Sequence, residues 1–251
     1  MNLIEQFILF LVSLLANTFS AFSGGGAGLL QFPVLIFLGL SFGVALATHK
    51  VASVALGIGA VLRYLRTSNL ERRFVLLMLL SGVPGVVLGG SLILQVPERL
   101  AEIALGLLTG GLGLYSMLKK DLGQQYVPNN RSRRGLLLGG LMLFFLGFLN
   151  GSLTSGTGLF VTMALVMWFG MDYQRAVAYT LTMVGLFWNG AGAVTLGILG
   201  DIRWDWLPAL LLGSILGGYL GTHLAIKHGN RWIKRAFEII TLLVSFKLIL
   251  G

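Results

Sequence analysis

Apolar residues run almost unbroken from Leu3 to Phe22 and from Leu29 to Leu40, and further runs follow along the chain. The apolar segments fall at roughly 3–22, 28–40, 43–65, 74–96, 100–118, 136–154, 158–170, 175–199, 206–226 and 232–250. Most reach the ~20 residues that a helix needs to cross a ~30 Å hydrocarbon core. The ~10-residue alternation of barrel strands is absent. The pattern predicts an all-α integral membrane protein of about ten segments.

Segment 28–40 is the weak span. Thirteen helical residues cover about 20 Å, which is too short to span. It follows the stretch Ser23-Gly24-Gly25-Gly26-Ala27-Gly28, with Pro33 close behind. Glycine weakens a helix and reaches backbone angles that other residues avoid. Broken backbone at membrane depth is tolerated only where it is buried in protein or lines a cavity. Loop amides and helix N-termini then become free to hold an anion. One copy alone is explained equally well as a tight turn or as close helix packing. A second break, Ser155-Gly156-Thr157-Gly158, recurs between apolar segments in the other half.

The two halves align. Gly26-Ala27-Gly28 matches Gly156-Thr157-Gly158 at an offset of 130, and Gly85, Gly89 and Arg99 match Gly217, Gly221 and Arg231 at 132. This predicts five segments plus five: repeat 1 over residues 1–118, a basic linker over 119–134, and repeat 2 over 135–251. Equivalent loops carry opposite charge. The loop from Arg63 to Arg73 is rich in arginine, whereas Gly200–Asp205 has one arginine against two aspartates. Pro97-Glu98-Arg99 is balanced, whereas Lys227–Arg235 is basic. Basic loops stay cytoplasmic, so the repeats are read as inverted, with the linker inside and both termini outside.

Composition fits this class. The chain is 56% hydrophobic and only 11% charged, with 36 glycines. There is no cysteine, which excludes disulfide and thiol chemistry. The net charge of +9 sits mostly in short loops, with no contiguous basic domain for nucleic acid. The first apolar run lacks a basic flank and carries Glu5, so it is read as a retained span rather than a signal peptide. No metal cluster, P-loop or nucleophile elbow is present, so neither an enzyme nor a cofactor is expected.

These residues resemble a known family. Ser23-Gly24-Gly25-Gly26 with Pro33, then Ala45-Leu46-Ala47-Thr48-His49-Lys50, then the basic loop, look like the TauE/SafE sulfite exporter family, also called the toluene-sulfonate uptake permease family. The second half adds Asn189, Gly200-Asp201-Ile202-Arg203-Trp204, Gly213 through Gly221, and Arg231. The resemblance covers essentially the whole chain. It implies a multi-pass permease of a bacterial-type cytoplasmic membrane, moving sulfur oxyanions or organosulfonates such as sulfite and sulfoacetate. Two departures stand out. The second half lacks the glycine triplet and its proline. Thr180-Leu181-Thr182 stands where many members carry a second Thr-x-Lys, leaving Lys50 without a symmetric partner.

The expected substrate site combines Gly24, Gly25, Gly26 and Gly28 with Ser155, Gly156 and Thr157. Lys50 lies about two turns into its segment, where a cation is costly unless it faces a cavity or partner; snorkelling is the alternative. It would attract the anion. His49 is ~100° round the helix from it. Thr48, Thr180 and Thr182 offer hydroxyls, unless these bond their own helix backbone. Asn189, and more weakly Asn17, Gln31 and Asn150, are amides that must find partners when buried. Arg175 beside Asp172 reads as a helix end. Glu238 reads as a helix-face pair with Lys234 and Arg235, with proton coupling as the alternative. Trp204, Trp206 and Trp232 are read as interfacial.

The expected function is secondary transport of a small anion by alternating access. An anion channel and a cation or metal permease are the rival readings. Expected partners are the anionic substrate and the lipid bilayer, with a coupling proton or sodium ion and a homodimer left open.

Overall fold

A computed structural model describes residues 3–64, 70–92, 98–152 and 156–250. Ser155 of the second break, Arg66 of the basic loop and Pro97 lie outside the described residues. Helix follows helix: α1 Leu3–Ser23, α2 Ala27–Phe37, α3 Phe42–Tyr64, α4 Arg72–Ser91, α5 Glu98–Leu118, α6 Arg133–Ser152 and α7 Thr157–Phe169. Then come α8 Tyr173–Leu199, a 3₁₀ turn Trp204–Trp206, α9 Leu207–His228 and α10 Asn230–Leu250. Six of these are long and apolar enough to cross a membrane. The protein is an all-α integral membrane protein.

The two short helices are α2, with 11 residues, and α7, with 13. They reach about 16 and 20 Å, well short of a full span. Both begin at a glycine in the left-handed region: Gly26 at φ 99° and Gly156 at φ 76°. Gly24 and Gly25, at φ 89° and 147°, complete the first break. The breaks meet in the interior, because a Cβ on Gly25 would lie 2.5 Å from the backbone of Gly158 and Leu159.

Glycine also sets the helix spacing. The largest interhelical contacts join α1 with α9 and α4 with α6. In the first, a Cβ on Gly217 or Gly221 would strike the carbonyl oxygen of Leu14 or Thr18 at 2.6 and 2.2 Å. In the second, Gly85 and Gly89 stand against the carbonyls of Phe144 and Phe148 at 2.2 and 2.1 Å. The pairs correspond when the halves are exchanged, with glycines 132 apart and carbonyls 130 apart. Close backbone approach at small residues drives helix association where lipid removes the hydrophobic effect.

Two details depart from expectation. Trp206 is 6% exposed, packed in an apolar cluster with Leu9, Phe32, Leu35 and Leu46 rather than at an interface; Trp204 and Trp232 are exposed. Lys234 does pair with Glu238, but the pair is largely buried against Ser116 of α5. Arg235 instead lies over the Trp232 ring.

A side chain at Gly221 should therefore push α1 and α9 apart. Gly221→Val is expected to cost about 1–3 kcal/mol or more, read as a melting temperature several degrees lower in detergent. Gly111→Ala is the control, since a Cβ there meets nothing within 4 Å.

Candidate functional site

The breaks enclose a cavity of about 40 Å³. Gly25, Gly26, Ala27 and Gly28 form one wall, and Gly156, Thr157 and Gly158 form another. The N-cap residues Gly26 and Gly156 have no side chain with which to cap, and in the first turn of α7 the Leu159 amide donates back to the Gly156 carbonyl at 2.8 Å. Both helix dipoles present their positive ends there.

Lys50 of α3 enters this space and is 1% exposed. Its Nζ donates to the Asn150 carbonyl and to Asn150 Oδ1 at 2.8 Å, on α6, and to Asn189 Oδ1 at 3.1 Å, on α8. Asn150 Nδ2 in turn donates to Thr157 Oγ1 at 2.9 Å, tying the lysine to the start of α7. Gly192 makes room for the lysine stem, since a Cβ there would lie 3.3 Å from Lys50 Cδ. Among the described residues, the acceptors of Lys50 are neutral amide oxygens and no carboxylate lines the cavity. A buried cation in this setting is solvated but not neutralised.

The wall opposite the breaks comes from α8, whose Thr180–Trp188 stretch is π-helical. Its wide turn brings Thr180, Leu181, Val184, Gly185 and Asn189 to the cavity together. Trp188 pins the turn, donating from Nε1 to the Met78 carbonyl at 2.9 Å and lying where a Gly82 side chain would be. Single wide turns of this kind often occur at functional sites.

The expected residues therefore divide. Gly25, Gly26, Gly28, His49, Lys50, Gly156, Thr157, Thr180 and Asn189 line one cavity. Gly24 lies behind it, packed on Val177, with its carbonyl accepting from Thr162 at 2.6 Å. Thr48 faces away and its hydroxyl accepts from the Arg203 amide at 3.0 Å, holding the loop before the 3₁₀ turn. Thr182 is buried outside the lining. Thr180 is engaged with the Thr162 hydroxyl, 2.9 Å away. Asn17 is likewise off the cavity, bonded to Ser13 and Ser214. Asn150, weighted lightly on sequence, is the main partner of Lys50. Ser20 and Ser53, which sequence reasoning missed, also line the cavity. The repeat offset held the signal for Ser20, since Ser20 and Asn150 are 130 apart.

A second cavity, of about 400 Å³, opens at the basic end of the bundle and is lined by Glu71, Asp172, Gln174, Arg175, Tyr179 and Asn230 among others. Arg175 pairs there with Asp172 at 3.1 Å and stacks on Tyr126. Tyr179 accepts from the Glu71 amide at 2.6 Å, and the next residue, Thr180, already lines the central cavity. A larger groove between α1, α2 and α10 is apolar and suits acyl chains rather than an anion.

The family profile of the sulfite exporter TauE/SafE matches residues 9–248. The chain belongs to the sulfite exporter TauE/SafE family. It is 30% identical over 244 residues to a "Probable membrane transporter protein" of Haemophilus influenzae, covering 96% of this chain and 93% of that one. It is 28% identical over 249 residues to "Probable membrane transporter protein YfcA" of Escherichia coli strain K12, covering 96% and 88%. "Probable membrane transporter protein YunE" of Bacillus subtilis is 23% identical over 268 residues, with 96% of each chain covered. No solved structure matches the chain. The protein is a multi-pass membrane transporter of this family.

Because Asn150 solvates Lys50, Asn150→Ala should lower the melting temperature by the equivalent of about 1–3 kcal/mol. In a Lys50→Met background the same change should cost clearly less, and a double-mutant cycle measures the difference.

Proposed function

We propose that the protein is a secondary carrier for a small sulfur oxyanion, bound between the two helix breaks. The observation that carries this reading is Lys50: a buried cation held by three neutral oxygens in a cavity that no carboxylate lines among the described residues. A bound anion supplies the missing countercharge. Its oxygens would take the first-turn amides of α2 and α7, the Thr157 hydroxyl and the Lys50 ammonium. The family's name supports the sulfur chemistry.

The volume supports an inorganic oxyanion over a long-tailed organosulfonate. A cavity of about 40 Å³ holds about three water-sized groups. The same lining argues against a cation or metal permease. Carrier behaviour, rather than an open pore, is supported by the separation of the central cavity from the basic-end cavity at Tyr179 and Thr180. Alternating access would move one half against the other around the site, as in other transporters with paired broken helices. The exchange-related glycine contacts of α1 with α9 and α4 with α6 support that geometry.

Thermal stability in detergent tests the reading with sulfite, sulfate, thiosulfate, sulfoacetate, taurine and chloride at fixed ionic strength. A ligand at 100 times its Kd stabilises by about 2.7 kcal/mol, a rise of several degrees. A sulfur oxyanion should give that rise, and Lys50→Met should abolish it. Without ligand, Lys50→Met should change the melting temperature little, since relief of the unneutralised charge offsets the amide oxygens left without a donor. A response to divalent cations alone would overturn the assignment.

A further inference from the structure

A second buried polar chain meets the cavity and has no part in holding Lys50. His49, 4% exposed, is engaged at both ring nitrogens. Nδ1 lies 2.8 Å from Gln31 Oε1, and Nε2 lies 3.1 Å from Ser53 Oγ. Gln31, fully buried on α2, donates from Nε2 to Ser13 Oγ of α1 at 3.0 Å. Ser13 gives its proton to the Leu210 carbonyl of α9 at 2.7 Å. These partners fix the order of donors. Gln31 turns its amide N–H groups toward Ser13 and its oxygen toward His49. An amide oxygen only accepts, so His49 Nδ1 carries the ring proton and Nε2 accepts from Ser53. Ser53 and His49 both line the cavity.

We propose that His49 takes up a proton together with the anion, making the protein an anion–proton symporter; this rests on the anion-carrier reading above. When Nε2 binds a proton, it becomes a donor to Ser53 Oγ. Ser53 then has to direct its own proton elsewhere, and the cavity that it lines is the open direction. One proton thus adds a positive charge and a hydrogen-bond donor to the wall that the anion meets. The Gln31 and Ser13 bonds are unchanged by this switch. The proton binds from one side and leaves to the other with the anion, and no covalent bond is made.

The neighbours of His49 make the two binding events reinforce each other. Lys50, the next residue on α3, is the charged neighbour in the same cavity. Among the described residues, the recorded neighbours of His49 are Gln31 and the Phe32 ring of α2 and Ser53 of its own helix, with Ser13 of α1 behind Gln31. In the empty cavity, the lysine cation opposes a second positive charge beside it. An anion placed against both removes that opposition, and coupling between two ligands is reciprocal. The half-buried carboxylate Glu238 is paired with Lys234 and lies outside this cavity.

Proteoliposomes with the membrane potential clamped at zero by potassium and valinomycin test the inference. Radiolabelled thiosulfate is the probe, since it stays a dianion across neutral pH. A step of about one pH unit, acid outside, should accumulate it about tenfold for one proton per anion. His49→Gln should lose this accumulation and raise the half-saturating thiosulfate concentration for counterflow, which should no longer change with pH. Ser53→Ala should keep the proton drive and raise the half-saturating thiosulfate concentration about tenfold. Accumulation by His49→Gln equal to that of the unmodified protein would overturn the inference, as would an unchanged half-saturation in Ser53→Ala. Counterflow without pH-driven accumulation in the unmodified protein would overturn the symport alone. No counterflow in the unmodified protein would remove the anion reading itself.

Discussion

A single ammonium group without a countercharge sets the terms for this fold. Lys50 sits in the interior of a helical membrane protein, where an unpaired cation costs several kcal/mol. The chain surrounds it with three amide oxygens from α6 and α8, which solvate it without neutralising it. It also ends two other helices at the same place, so that their positive ends point where an anion would be held. Apart from its role with a ligand, this arrangement is unfavourable. Two dipole ends and a cation repel one another, and only an anion turns that repulsion into attraction.

Holding such a site together requires backbone packing rather than side-chain packing. Gly25 against Gly158 lets the breaks touch. Gly85, Gly89, Gly217 and Gly221 bring α4 to α6 and α9 to α1 within reach of carbonyl oxygens. Such contacts tolerate sliding better than interlocked large side chains. That property suits the proposed movement of one half against the other. The two cavities fit the same view, since Tyr179 and Thr180 place a thin wall between the basic end and the site.

Much of this was legible in the sequence. Glycine clusters between apolar runs marked the breaks, because glycine at left-handed φ leaves a clear trace. Lys50 stood out because charges are rare at that depth. Other features were hidden for physical reasons. Thr48 is two residues from Lys50, about 200° round an α-helix, so the two face opposite sides, and its hydroxyl serves the loop at Arg203. The π-helical turn at Thr180–Trp188 has no proline or distinctive residue to announce it, being imposed by Trp188 against Gly82 and Met78. That turn also decides which threonine reaches the cavity, admitting Thr180 and leaving out Thr182. Asn150 looked like one buried amide among several, and only its approach to Lys50 from a different half gives it a role.

The central claim is that Lys50 and the two helix breaks form one anion site. An experimental structure with selenate, a heavy analogue of a sulfur oxyanion, tests it most directly through anomalous scattering. The account predicts a selenium peak within hydrogen-bonding reach of Lys50 Nζ and the first-turn amides of α2 and α7, lost in Lys50→Met. A peak elsewhere with the Lys50 cavity empty at saturating selenate would contradict it.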